Sequence, residues 1–216
     1  MPGVLAEDAT FERLWLDEQS WVDIARGWIL EPDELYADLV EQAPWQQGRV
    51  FRYERWVDEP RLGAWYAVGR TGTPEVITEA HRVLQRRYNV RFDGVALAWY
   101  RDARDSVAFH RDRELRWLDD TVIGVVTLGA RRPWVLRPRA NRYDHEAPNR
   151  GATHDLAPAS GDLFVMGGAT QARWEHAVPK VRGAVGGRVS LQWRWTAKRG
   201  RPERGANYSA PRLYSR

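Results

Sequence analysis

The chain has 216 residues, 43% of them hydrophobic and 29% charged, with 12 Trp and no Cys, a composition that supports one domain with a sizeable core and excludes a disordered or low-complexity chain. Without Cys there is no disulfide, zinc-finger, thiolate or iron–sulfur chemistry, so any metal has to be held by His and carboxylates. The net charge of +4 hides a division, because residues 1–44 carry eleven acids against Arg13 and Arg26 while the remainder is strongly basic, which suits an anionic partner such as nucleic acid. Of the 33 basic residues only Lys180 and Lys198 are Lys; Arg grips phosphates and carboxylates with a planar fork, although a GC-rich genome produces the same bias. No apolar run approaches the roughly 18 residues of a membrane span, and the opening MPGVLAEDATFERLW lacks a signal-peptide layout. A cytoplasmic protein with no membrane partner is expected, and it is read as a monomer.

In chain order, the first predicted element is a helix opened by Pro32-Asp33-Glu34, whose acids suit the helix dipole, with Leu35, Leu39 and Val40 at helical spacing until Pro44. The stretch from Val50 to Arg61 then alternates basic and aromatic residues and reads as an exposed β-hairpin. A second helix begins at Pro74-Glu75, carries Val76, Ile77, Ala80 and Leu84 on one side, and ends near Tyr88-Asn89. From Gly94 the texture changes to short runs rich in Val, Leu, Phe and Trp, each closed by Gly, Pro, Asn or Asp: 94–100, 121–128, 133–137, 161–166, 173–178 and 188–196. Such spacing describes an antiparallel double sheet or barrel with helices packed outside it. The end from Ala197 to Arg216 has six basic residues against Glu203, and reads as a mobile solubilising tail or a nucleic-acid arm.

A His and carboxylate set on strands is therefore the first thing to seek. His110-Arg111-Asp112 follows the run VALAWYRDARDSVAF, and strand alternation would put His110 and Asp112 on one face. For a third ligand the candidates are His145, His154 and His176. His176 is the best placed, inside the strand-like run 173–178, while His145 sits in a polar loop and His154 beside a turn. Two His and one Asp form the facial triad of non-haem Fe(II) oxygenases, which leaves adjacent positions for a co-substrate and dioxygen. The last strand alternates strictly, with Arg188, Ser190, Gln192 and Arg194 on one face and Val189, Leu191 and Trp193 on the other. Were the polar face to point into a barrel, two Arg would need anions there, and a dicarboxylate would neutralise both.

These pieces resemble the AlkB family of Fe(II)- and 2-oxoglutarate-dependent dioxygenases, whose pattern is H-x-D, a distant His, then R-x-N-x-T-x-R. The likeness covers most of residues 28–196. It is strongest in AWYRDARDSVAFHRDRE, GDLFVMGGATQARWEHAVPKV and RVSLQWRW, whose order and spacing look most like the AlkB homologues that repair duplex DNA. The resemblance implies an α+β, mainly β fold: a double-stranded β-helix, or jelly roll, with flanking helices and an N-terminal substrate-recognition lid. Its implied parts are an extension with lid and helices over 1–92, a catalytic core over 93–196 and the tail 197–216, within one structural domain. By carry-over, His110, Asp112 and His176 would bind Fe(II), and Tyr100, Arg188 and Arg194, with Ser190 and Gln192, would hold the co-substrate 2-oxoglutarate, dioxygen being the second co-substrate. Three positions depart from the pattern: Ala98, Ser190 and Gln192 stand where the family has Asn, Asn and Thr. Ser and Gln still hydrogen-bond and Ala does not, so altered 2-oxoglutarate affinity is expected.

The implied activity is oxidative demethylation of N-alkylated bases such as 1-methyladenine and 3-methylcytosine in DNA, or in RNA as the alternative nucleic acid. Such a base is cationic and has to leave the duplex to react. Glu114 occupies the place of the family's acid near the base; paired with Arg113 or Arg116 on the surface, it would have no such role. Tyr66 and Trp174 are candidates for stacking on the base, although aromatics in strand-like runs are more often plain core. Phe51 would fill the gap left by a flipped base, with Arg52, Arg55 and Arg61 on phosphates. Two alternatives stay open: a hydroxylase of the same chemistry acting on RNA, protein or a small molecule, and a non-catalytic nucleic-acid-binding module.

Overall fold

The computed structural model of the chain describes residues 3–52, 54–139, 152–200 and 202. The N-terminal part contains β1 (Val4–Leu5), β2 (Glu12–Trp15), β3 (Ser20–Ala25), β4 (Ile29–Leu30), α1 (Pro32–Gln42), β5 (Gln46–Arg52), β6 (Arg55–Ala67) and α2 (Glu75–Tyr88). There follow β7 (Gly94–Tyr100), β8 (Val107–His110), a 3-10 turn over Arg113–Leu115, β9 (Thr121–Gly129), β10 (Val135–Pro138), β11 (His154–Asp155), β12 (Leu163–Gly168), the one-turn α3 (Thr170–Arg173), β13 (Trp174–Val178) and β14 (Arg188–Thr196). Both expected helices are present. Pro32 stands in the first turn of α1 with Asp33 and Glu34 beside it, and α2 ends on Asn89 in the left-handed conformation, φ 51°, which tolerates Asn better than most residues.

The strands form a jelly roll of two facing antiparallel sheets. The large sheet has the order β2-β3-β12-β9-β14-β7-β6-β5 and the small one β11-β10-β13-β8. Four central strands of the large sheet, β12-β9-β14-β7, and the four of the small sheet make the double-stranded β-helix, while β3 and β6 extend the large sheet at either side. Two apolar layers result. One lies between the large sheet and the helices, and contains Leu35, Leu39, Ile77, Leu84, Val126, Leu191 and Trp193. The other fills the gap between the sheets with Ile123, Val125, Trp134, Leu136, Phe164 and Trp174.

All six expected C-terminal strands appear, with shifts of up to two residues at their ends. The N-terminal strands β1 to β4 were not anticipated, because Glu12–Trp15 is mostly exposed and its acid-rich surroundings have no apolar alternation. The hairpin is longer than expected: β6 runs on as far as Ala67, where it pairs with Gly94 of β7. At the end of β9, Gly129 has φ +82° and lies across from Arg188. A Cβ there would meet the Gly187 carbonyl at 2.5 Å, so only Gly lets these strands close up beside Arg188.

Candidate active site

His110 ends β8 and is the register partner of His176 in the middle of β13, with ring centroids 4.3 Å apart. Asp112 does not continue the strand, as alternation had suggested. The strand stops at His110, and the next turn carries the carboxylate back beneath it. The buried Gln171 of α3 holds that turn, its Oε1 accepting a 2.8 Å bond from the Asp112 N–H. His110 Nε2 and His176 Nε2 lie 3.7 and 4.0 Å from Asp112 Oδ1. One donor atom from each of the three residues falls within 4.8 Å of the others, the single group of this kind among the described residues. His154 is not in it but lies against Trp174, ring centroids 5.7 Å apart, and His145 lies outside the described residues.

Electrostatics prepare this group for a cation. His110 Nδ1 is 2.9 Å from the Ala108 carbonyl. A carbonyl only accepts, so Nδ1 carries the proton and Nε2 keeps its lone pair on the Asp112 side. Burial pushes His176 down to about 3, helped by the adjacent His110, and burial likewise lowers His110, so both rings are neutral at physiological pH. Burial alone would raise Asp112, but the charge of Arg194, which also donates a hydrogen bond to it, outweighs burial and holds the carboxyl ionised. Arg194 Nε donates to Asp112 Oδ2 at 2.9 Å, and its Nη2 donates to Gln192 Oε1.

Beside the three residues a cavity opens between the sheets, with Tyr100, Arg188, Ser190, Gln192 and Arg61 in its wall. The alternation of β14 is as expected: Val189, Leu191 and Trp193 enter the helix-side layer, and the polar set faces the cavity. Arg188 is fully buried, yet only its Nη2 finds a protein acceptor among the described residues, Thr127 Oγ1 at 3.2 Å; Nε and Nη1 have none. Burial pulls this guanidinium down to about 10, so it stays charged at neutral pH. Ser190 is opposite Ala98 in the register, which leaves a small-residue wall where the family pattern has amides.

The residues expected to meet a nucleic acid are more scattered. Glu114 Oε1 is 3.9 Å from Arg194 Nε, and about a third of its side chain (35%) is exposed. Burial of the remainder and the nearby Asp112 push it up to about 7. Phe51 stands exposed near the hairpin tip, edge-on to Trp56, its partner across β5 and β6, with centroids 5.6 Å apart. Arg52 pairs with Arg55 at the tip.

Three assignments need correction. Tyr66 faces the helices, in the layer behind the sheet, because it falls on the same side of β6 as its partner Val95. Trp174 shares the His176 face but is buried, its indole N–H donating to Asp17 Oδ2 at 2.8 Å. Arg61 does not reach outward for phosphates; it turns into the cavity and donates to the Tyr100 hydroxyl at 3.3 Å. Residues not anticipated are Gln171, Trp134, whose ring lies 6.3 Å from that of His176, and Trp56. The alternation of aromatic and basic residues in the hairpin was a signal for Trp56, whereas Gln171 carried none.

Comparison with known proteins bears on this arrangement. The profile of the 2OG-Fe(II) oxygenase superfamily matches residues 32–198. Alpha-ketoglutarate-dependent dioxygenase alkB homolog 3 of Homo sapiens is 28% identical over 186 residues, covering 81% of this chain and 63% of its own. DNA oxidative demethylase ALKBH2 of Homo sapiens is 29% identical over 180 residues, covering 76% and 68%. A crystal structure of an oxidoreductase of the 2OG-Fe(II) oxygenase family from Burkholderia pseudomallei is 18% identical, covering 79% of this chain and 81% of its own, with a TM-score of 0.49. The chain thus spans a little under two thirds of the length of the alkB homolog 3 proteins it matches. Among the described residues no helix is long and apolar enough to cross a membrane. With a superfamily profile running from α1 through β14 and a His-Asp-His group between its sheets, the chain belongs to the 2OG-Fe(II) oxygenase superfamily of Fe(II)- and 2-oxoglutarate-dependent dioxygenases, homologous to the AlkB homologues.

Proposed function

We propose that this protein oxidatively demethylates N-alkylated bases, 1-methyladenine and 3-methylcytosine, in DNA, with release of formaldehyde, succinate and carbon dioxide. The observation that carries the reading is Glu114, a part-exposed carboxylate beside the His-Asp-His group and within 3.9 Å of Arg194. A base made cationic by methylation favours the ionised form of this carboxyl, otherwise raised to about 7, and gains from the anion it then faces. The similarity to DNA oxidative demethylase ALKBH2 points the same way.

The residues present fit both groups the family requires. Two neutral imidazoles and one ionised carboxylate are the donor set of an Fe(II) site with open positions, and His110, Asp112 and His176 would hold the metal. Arg188, two of whose buried guanidinium nitrogens lack acceptors among the described residues, calls for an anion, and with Tyr100 it would take the C5 carboxylate of 2-oxoglutarate. Arg194, with Ser190 and Gln192 beside it, would order the C1 side. When bound, Fe(II), 2-oxoglutarate and dioxygen together supply the oxidation of an N-methyl group to N-hydroxymethyl, which collapses to formaldehyde and the free base.

The chain itself supplies the arrangement. The Nδ1–H bond to Ala108 orients the His110 ring, and Gln171 fixes the turn that presents Asp112. Trp134 and Phe164 pack edge to face at 5.2 Å and keep water from the His176 side. Glu114 holds the cationic base, while Phe51 and Trp56 at the hairpin tip replace its lost stacking, with Arg52 on the backbone phosphates. The test is Fe(II)-loaded protein given 2-oxoglutarate, dioxygen and oligonucleotides carrying either lesion as single strand, duplex or RNA. Formaldehyde and succinate are expected in equal amounts with the DNA substrates. Succinate with no repaired base would reject this reading and keep the oxygenase.

A further inference from the structure

We propose that Arg61, a residue of the hairpin strand β6, is a binding residue of the co-substrate pocket: its guanidinium takes the 2-oxoglutarate dianion and not nucleic-acid phosphate. The proposal rests on the reading that the cavity between the sheets seats 2-oxoglutarate.

Four observations carry it. First, Leu62 pairs with Trp99 of β7, which sets Arg61 beside Tyr100, and Arg61 Nη1 donates to the Tyr100 hydroxyl at 3.3 Å. Tyr100 in turn has the Arg188 guanidinium 5.9 Å from its ring centroid, so the phenol stands between two cations of the same cavity. Second, the main chain around Arg61 is held from both sides. The Pro60 carbonyl accepts from the Ser106 N–H at 2.8 Å, and Gln47 Nε2 donates to the Glu59 carbonyl at 2.7 Å. Third, the Arg61 side chain is 23% exposed, and its nearest carboxylate, Glu59, is a loose partner at 3.6 Å. A phenol and one loosely held carboxylate leave most of its fork available for an anion.

The fourth observation is the charge of the site. Arg61, Arg188 and Arg194 all line or adjoin the cavity, but only Arg194 holds a carboxylate at close range, Asp112 at 2.9 Å. Fe(II) adds two positive charges and 2-oxoglutarate removes two, so the dianion is the occupant that these guanidinium groups favour. A cationic methylated base would be repelled by Arg61 and drawn to Glu114 instead. The field of Arg61 reaches His110, Glu114, His176 and Arg194, and Arg61 in turn feels the charge of Asp112, so removing the group alters the whole site even though it lies on the hairpin.

Calorimetric titration of the full chain, loaded with redox-inert Mn(II), with 2-oxoglutarate tests this. Arg61→Ala is expected to weaken 2-oxoglutarate binding about tenfold, and Arg61→Lys about threefold, since the charge is kept and the fork lost. Affinity for an unmodified single-stranded oligonucleotide should stay as in the wild type. Wild-type 2-oxoglutarate affinity in both variants, or a loss confined to the oligonucleotide, overturns the proposal; should the Ala variant fail to fold, the Lys variant decides alone. Arg188→Met in the same titration separates the two levels. If it lowers the affinity about 100-fold while both Arg61 variants bind 2-oxoglutarate as the wild type does, Arg61 is wrong and the pocket right. If it too binds normally, the seat of 2-oxoglutarate lies elsewhere.

Discussion

The two faces of β14 are built from one alternating segment and solve opposite problems. On the helix side Val189, Leu191 and Trp193 are fully buried against Leu84 and the rest of an apolar layer, so folding alone satisfies their apolar surface, and the one polar atom among their side chains, the neutral Trp193 indole N–H, has no acceptor among the described residues. On the cavity side Arg188 is equally buried, and two of its N–H groups find no partner among the described residues. Burying an unsatisfied charged group destabilises a fold. The first face therefore stabilises the protein with or without ligand, whereas the second is completed only when an anion arrives, and the contrast separates residues that hold the fold from residues that hold the chemistry.

Substitutions on the two faces should keep apart, and the largest effect belongs to the cavity side. His110→Ala or Asp112→Ala should reduce succinate release to background while circular dichroism and oligonucleotide binding persist; activity in either variant would remove the site from this face. Leu191→Ala should cost about 3 kcal/mol in denaturant unfolding, with 2-oxoglutarate affinity unchanged in the folded fraction. Arg188→Met should lower that affinity about 100-fold and, unlike Leu191→Ala, raise the melting temperature of the ligand-free protein. A lower melting temperature would mean that both faces serve stability. Gln171→Leu, acting through the backbone of Asp112, should weaken Mn(II) binding about tenfold, a readout that a general packing defect, measured by melting, would not reproduce alone. The smallest effect is expected at Trp56→Ala: about a fivefold loss in kcat/KM on duplex substrate and less on single strands, with no change in 2-oxoglutarate binding.

Much of this contrast was legible before folding. Strict alternation from Arg188 to Arg194 specified both faces, because strand geometry is a period of two and nothing else is needed. His110 and His176 were recognisable as well, and their register pairing supplied what sequence lacks, the distance. Asp112 was found for a partly mistaken reason, since the turn that presents it depends on Gln171, 59 positions away. Side-chain direction outside regular alternation was the weakest inference. Tyr66 looked like a stacking residue until its register with Val95 put it behind the sheet, and Arg61 looked like a phosphate contact until the extension of β6 aimed it inward. Of the N-terminal strands, β3 was missed because its pairing with β12, a long-range partner, makes it a strand, and β2 forms on β3 in turn.

The course of β6 has a practical consequence for protein engineering. One continuous strand carries the exposed Trp56 near its start and the inward-facing Arg61 five residues later, before it merges into the large sheet. A hairpin transplanted from a relative to change nucleic-acid preference would import its own neighbour for Tyr100 if the junction fell beyond position 61. Chimeras joined between Val57 and Glu59 would exchange the tip alone.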